Sequence, residues 1–163
     1  MNSTLELSVI GNSTISALLD EDARIVWGCF PRFDADPTFC ALLNNGGDEE
    51  TGFFNITLLD QVRSEQKYRR NSAIVVTKLF DDNGNAVEIT DFAPRFKQFG
   101  RGFRPTMLVR HIRPLHGTPR ICIRLRPAFD HGAQHPAKTR GSNHIRYVMP
   151  NLTLRLTTDA SIA

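Results

Sequence analysis

Two stretches of the chain alternate cleanly. Ile121, Ile123 and Leu125 alternate with Cys122, Arg124 and Arg126, and Leu152, Leu154 and Leu156 alternate with Thr153, Arg155 and Thr157. A period of two means a sheet with one face inward and one outward. Apolar or β-branched runs predict strands at residues 14–19, 24–29, 53–58, 73–80, 86–92, 107–114, 120–126, 144–148 and 151–157. Turn residues separate them. Asp20-Glu21-Asp22-Ala23 predicts a first hairpin. Asp81-Asp82-Asn83-Gly84-Asn85 predicts the clearest one, because Asn-Gly takes the positive φ of tight turns. A third hairpin is expected around 115–119 and a last one at Met149-Pro150. The one helix candidate is short, residues 37–43. Strands joined by turns without βαβ alternation predict an all-β fold, an antiparallel β-sandwich with at most one or two short helices. No repeat or linker divides residues 1–163, which read as a single domain.

Composition agrees with one folded domain: 163 residues, 40% hydrophobic and 23% charged. The absence of an apolar run of roughly 18 residues argues against a membrane helix. The first ten residues lack a basic segment followed by an apolar one, so a cytoplasmic protein with no membrane partner is expected. Cys29, Cys40 and Cys122 form neither a disulfide framework nor a zinc spacing. Charge changes the picture more. Residues 1–94 carry 7 basic and 15 acidic side chains, whereas residues 95–146 carry 12 basic ones and a single acid, Asp130. So polarised a chain implies a partner for its basic part.

Little in the sequence carries catalytic chemistry. His131 and His135 have an i, i+4 spacing, but Gly132 and Pro136 predict a loop rather than a ligand-bearing helix. No nucleophile elbow and no phosphate loop is present, and no metal or cofactor is expected. Asp34 and Asp36 invite comparison with the carboxylate pair of glycoside hydrolysis. A pairing of Asp34 with Arg32, and a helix N-cap at Asp36 before Pro37, are the simpler readings. The most unusual segment, residues 91–105, interleaves Phe92, Phe96, Phe99 and Phe103 with Arg95, Lys97, Arg101 and Arg104. Single-stranded nucleic-acid platforms look like this, but so does an interface between domains, where guanidinium groups stack on rings and fork onto carboxylates. The interface is favoured, with no nucleic-acid partner.

Four segments are also familiar in sequence. Ile10-Gly11-Asn12, continuing to Ala17-Leu18-Leu19-Asp20, resembles the opening of bacterial proteins of glycoside hydrolase family 15, the glucoamylase and trehalase-like group. Trp27-Gly28-Cys29-Phe30-Pro31-Arg32-Phe33-Asp34, followed by Phe39-Cys40-Ala41-Leu42-Leu43, is similar to the next segment of that family. Gln66-Lys67-Tyr68 with Asn71 and Ile74 resembles a third, and Thr90-Asp91-Phe92-Ala93-Pro94 a fourth. Asn44-Asn45 departs from the family pattern, and Ser13 and Ala23 stand where it commonly has glycine.

The resemblance implies an N-terminal supersandwich domain that precedes an α/α-barrel. In the family that barrel carries both catalytic carboxylates and inverts the α-glucosidic bond, so this chain alone holds no catalytic residue. The chain stops just after a strand, which suggests a barrel expected downstream and absent here. The barrel is then the main partner and an α-glucoside the parent's substrate. The isolated domain is expected to self-associate through its uncovered surface. Trp27, Arg32, Phe33, Asp34, Arg95, Phe99, Arg101 and Arg104 are the candidates for barrel contact or substrate proximity. The rival reading is a stand-alone carbohydrate-binding or nucleic-acid-binding module that stacks ligands on Trp27, Tyr68, Phe99 and Phe103.

Overall fold

The structure is a computed structural model that describes residues 6–43 and 51–162. It is all-β. The strands are β1 (Ser8–Gly11), β2 (Ser16–Leu19), β3 (Ile25–Cys29), β4 (Pro37–Phe39), β5 (Phe53–Leu58), β6 (Gln61–Tyr68), β7 (Val75–Asp81) and β8 (Ala86–Phe92). They continue as β9 (Phe96–Gln98), β10 (Arg101–Phe103), β11 (Val109–His116), β12 (Ile121–Arg126), β13 (Ala137–Arg140), β14 (His144–Val148) and β15 (Thr153–Thr157). One sheet runs β1-β2-β3-β5-β12, with β4 added to β3, and a second runs β11-β8-β7-β6. Strands β13-β14-β15 form a third sheet, and β9-β10 a separate hairpin. All pairings between strands are antiparallel.

The two larger sheets close over two apolar clusters. Ala23, Ile56 and Leu58 meet Leu79, Val87 and Ile89, with Ile112 and Ile123 at the margin. The larger cluster joins Ile10, Ile15, Leu19, Ile25, Phe30 and Phe39 to Val75, Leu125 and Tyr147. The third sheet leans on it through Ile145, Leu152, Leu154 and Leu156, and the Tyr147 hydroxyl donates to the Leu125 carbonyl at 3.2 Å. The alternation seen at 152–157 is thus the inner face of that sheet.

Polar side chains fasten sheet to sheet. The Tyr68 hydroxyl accepts from the Val9 N–H at 2.6 Å and donates to the Val9 carbonyl at 3.0 Å. One phenol thereby satisfies both backbone groups of a residue on the edge strand β1. Gln66 accepts from the Ser8 hydroxyl at 2.6 Å and donates to the Asp20 carbonyl at 2.8 Å. Deeper inside, Arg110 on β11 stands in register with Asp91 on β8. Asp91 is fully buried and the Arg110 side chain is 4% exposed. The fork is bidentate, at 2.8 Å and 3.1 Å. Burial pushes the Asp91 carboxyl up, and the guanidinium opposes that push.

Three expectations are corrected. Residues 37–43 are not a helix: Pro37–Phe39 pairs with β3, and only Ala41–Leu43 makes a 3₁₀ turn. The N–H groups of Cys40 and Ala41 both donate to the Gly52 carbonyl, at 2.9 Å and 3.0 Å, so they are committed outside any helix. Asp36 is therefore no helix cap; its carboxylate takes the N–H groups of Asp130 at 2.6 Å and His131 at 3.2 Å. Residues 115–119 do not close a hairpin. β11 pairs with β8 and β12 with β5, so this loop carries the chain from one sheet to the other. The other expected hairpins form, at β2–β3, β7–β8 and β14–β15. Strands β1, β4, β6, β9, β10 and β13 lie outside the runs expected from the pattern. Asn44-Asn45 lies outside the described residues. Ser13 and Ala23 have φ of +73° and +61°, the left-handed region that suits glycine.

Candidate functional site: a basic and aromatic rim

Asn12 follows β1 and is buried. Its Oδ1 accepts the N–H groups of Thr14 at 3.0 Å and Ile15 at 3.2 Å, which folds the turn into β2. Its Nδ2 donates to the carbonyls of Pro94 at 3.0 Å and Pro105 at 2.8 Å. All the hydrogen-bonding capacity of the amide is used. Pro94 and Pro105 bracket the β9–β10 hairpin, so one side chain pins both of its ends. The same turn holds two more elements. Ser13 Oγ accepts from Arg95 Nη1 at 3.3 Å, and the Thr14 carbonyl accepts from the Phe33 N–H at 3.1 Å. The Arg32-Phe33-Asp34 loop and the β9–β10 hairpin are thereby gathered at one end of the sandwich.

The hairpin is a short finger held at both ends. Phe96 and Phe103 are in register and stack, with ring centroids 5.4 Å apart and planes 15° apart. Phe99-Gly100 makes the two-residue turn, with φ of +50° and +71°. Such turns favour Asn or Gly at the first position. A phenylalanine there costs on the order of 1 kcal/mol in backbone strain. It is also 90% exposed, so its apolar surface returns nothing. Phe33, whose N–H donates to the Thr14 carbonyl, is also exposed. Arg95, Lys97, Arg101 and Arg104 are exposed, and among the described residues no carboxylate pairs with any of them.

Seven of the eight sequence candidates lie in these two loops. Trp27 is the exception: it stands half-buried in the body of β3, opposite Leu18. In the sequence Asn12 stands out only as part of Ile10-Gly11-Asn12, and its role becomes visible once the hairpin's two ends are in place.

The arrangement does not make a hydrolytic pair. Arg32 forks onto Asp34 with two bonds of 2.9 Å, and that hydrogen bonding holds the Asp34 carboxyl below the usual range. It stays ionised at neutral pH and so has no proton to donate as a general acid. Asp36 is occupied by the Asp130 and His131 backbone, with His131 Nδ1 at 3.2 Å from its Oδ1. Burial pushes the thiols of Cys29 and Cys40 up, away from nucleophilic use. His135 lies 3.3 Å from the Thr51 hydroxyl. Among the described residues, no three His, Cys, Asp or Glu side chains converge as metal ligands. No described helix is long and apolar enough to cross a membrane. A surface depression of about 380 Å³ is lined by Glu6, Leu7, Ser8, Glu21, Ser64 and Gln66, and includes no rim residue.

Comparison with known proteins decides the family. The model of the family described as "Trehalase-like, N-terminal" matches residues 3–152. The chain belongs to the trehalase-like N-terminal domain family. Relatives include Trehalase 1 of Sulfolobus acidocaldarius, 29% identical over 145 residues, covering 88% of this chain and 23% of the relative. The trehalase of Thermoplasma volcanium is 26% identical over 129 residues, covering 78% of this chain and 20% of the relative. That of Thermoplasma acidophilum is 27% identical over 114 residues, covering 69% and 19% respectively. These three are archaeal, whereas the sequence motifs suggested bacterial proteins. The chain spans about a fifth of the length of these relatives. No solved structure matches it. Within the trehalase-like N-terminal domain, the quoted motifs supply specific fasteners: Asn12 the hairpin clamp, Gln66 and Tyr68 the edge bonds, Asp91 the buried ion pair.

Proposed function

We propose that this chain is the non-catalytic N-terminal domain, residues 1–163, of a trehalase-type glycoside hydrolase of family 15. Its rim packs on an α/α-barrel catalytic domain of the same polypeptide and helps to shape the substrate site. The parent reaction is inverting hydrolysis of an α-glucosidic bond, using two carboxyls set far enough apart to admit a water. One observation supports the docking role above the others. A strained, 90% exposed phenylalanine tips a hairpin clamped at both ends and carrying cations that no carboxylate pairs with among the described residues. Such a surface suits an apolar recess bordered by carboxylates.

The test is paired. The chain alone and the longest natural polypeptide that carries it are incubated with trehalose and with maltose, and released glucose is measured. The reading predicts glucose from the long polypeptide only. It also predicts that Phe99→Ser or Arg104→Ala in that polypeptide lowers either kcat/KM or thermal stability. Glucose release by the chain alone, or variants indistinguishable from the parent in both properties, contradicts the reading. The exposed rings also favour a second reading, a stand-alone carbohydrate-binding module. Maltooligosaccharide binding by the chain alone, lost in Phe99→Ser, supports it.

A further inference from the structure

The third sheet has an outer face that includes none of the rim residues. Its inner face carries Ile145, Tyr147, Leu154 and Leu156, so the residues between them point outward. Arg146 on β14 is in direct register with Arg155 on β15, and Thr139 on β13 completes the row. Both arginines are exposed, and among the described residues no carboxylate pairs with either. Like charges directly opposite each other in a sheet are destabilising. The same face continues with His144 opposite Thr157. His144 is held in place: its ring covers Gly141, where an added Cβ would lie 2.2 Å from His144 Cε1. Hydroxyl, guanidinium and imidazole donors therefore share one small patch, with no negative charge among them.

We propose that this patch, centred on Arg146 and Arg155, is an oxyanion site. Arg146 and Arg155 are cross-strand partners on one face, and paired guanidinium forks suit the oxygens of a phosphoryl group or a carboxylate. A bound anion offsets the repulsion between the two like charges. The inference is independent of the hydrolase reading, because no rim residue takes part.

The chain is titrated with inorganic phosphate, and separately with glutarate, against chloride at matched ionic strength. The Nε–Hε resonances of the arginines are followed by NMR. The site predicts saturable shifts at Arg146 and Arg155, with binding weakened roughly tenfold or more in Arg146→Gln or Arg155→Gln. It also predicts that each variant melts no lower than the parent in low salt, because the repulsion is gone. Stronger binding of phosphate assigns a phosphoryl ligand, and equal or stronger binding of glutarate assigns carboxylates. Shifts no larger than those in chloride overturn the proposal, as does a variant that binds both probes as well as the parent.

Discussion

Arg110 Nε lies 2.8 Å from Asp91 Oδ1, across the β8–β11 pair, and the same guanidinium reaches into the opposite sheet. Its Nη1 donates to the Phe54 carbonyl at 2.9 Å, its Nη2 donates to the Ala23 carbonyl, and its Cζ sits 4.7 Å from the Phe54 ring centroid. One buried side chain thus joins both sheets and the β2–β3 turn. Removing either partner strands a charge in the core. Asp91→Ala and Arg110→Ala are each expected to cost about 3–5 kcal/mol. The double variant is expected to cost less than the sum, because it strands no charge. Denaturant unfolding of the four proteins checks this; additive losses would mean the pair is uncoupled.

Asn12 makes a separable prediction. Asn12→Asp keeps the acceptor that folds the 12–15 turn but loses both donors to the hairpin's ends. It should cost on the order of 1–3 kcal/mol and speed amide exchange across residues 94–105 more than elsewhere. Exchange that rises uniformly over the chain would place the clamp's effect in global stability alone.

Ser13 and Ala23 share a left-handed φ but should respond differently to glycine. Ser13 is exposed, so Ser13→Gly relieves strain and should gain about 0.5–1 kcal/mol, less the weak Arg95 bond. Ala23 is fully buried in the smaller cluster, and loss of its methyl costs about 0.8 kcal/mol. Ala23→Gly should therefore gain nothing. Melting temperatures of the two variants compare them directly.

Phe99 governs the behaviour of the isolated domain. With Phe33, Phe96 and Phe103 also exposed, the rim should drive concentration-dependent association of the chain. Phe99→Ser should weaken that association and leave stability within about 0.5 kcal/mol, since the ring packs on nothing. Sedimentation over a range of concentrations reads both proteins; a parent that stays monomeric throughout contradicts the expectation.

The strands that could be read from sequence are those whose own residues decide them. Asn83-Gly84 specified the β7–β8 turn locally, and Gly84 has φ of +80°. The alternation at 152–157 named its inner face. What was not legible depends on partners distant in sequence. Nothing in residues 115–119 reveals that β11 and β12 belong to different sheets. Pro37–Phe39 is a strand only because β3 pairs with it. At the rim, the interleaved Phe and Arg residues announced a surface. The clamp did not show, because Asn12 meets Pro94 and Pro105 across more than 80 residues. The Arg32–Asp34 fork was legible because its partners are two residues apart.

The most direct test of the central claim is the intact mass of the natural gene product in its own cells. The chain has a mass of 18.3 kDa and spans 20% of the Thermoplasma volcanium relative. The account predicts a product several-fold heavier, with this domain at its N-terminus and the catalytic carboxylates downstream. A product of 18.3 kDa would contradict it, and would leave the sandwich to act by binding alone.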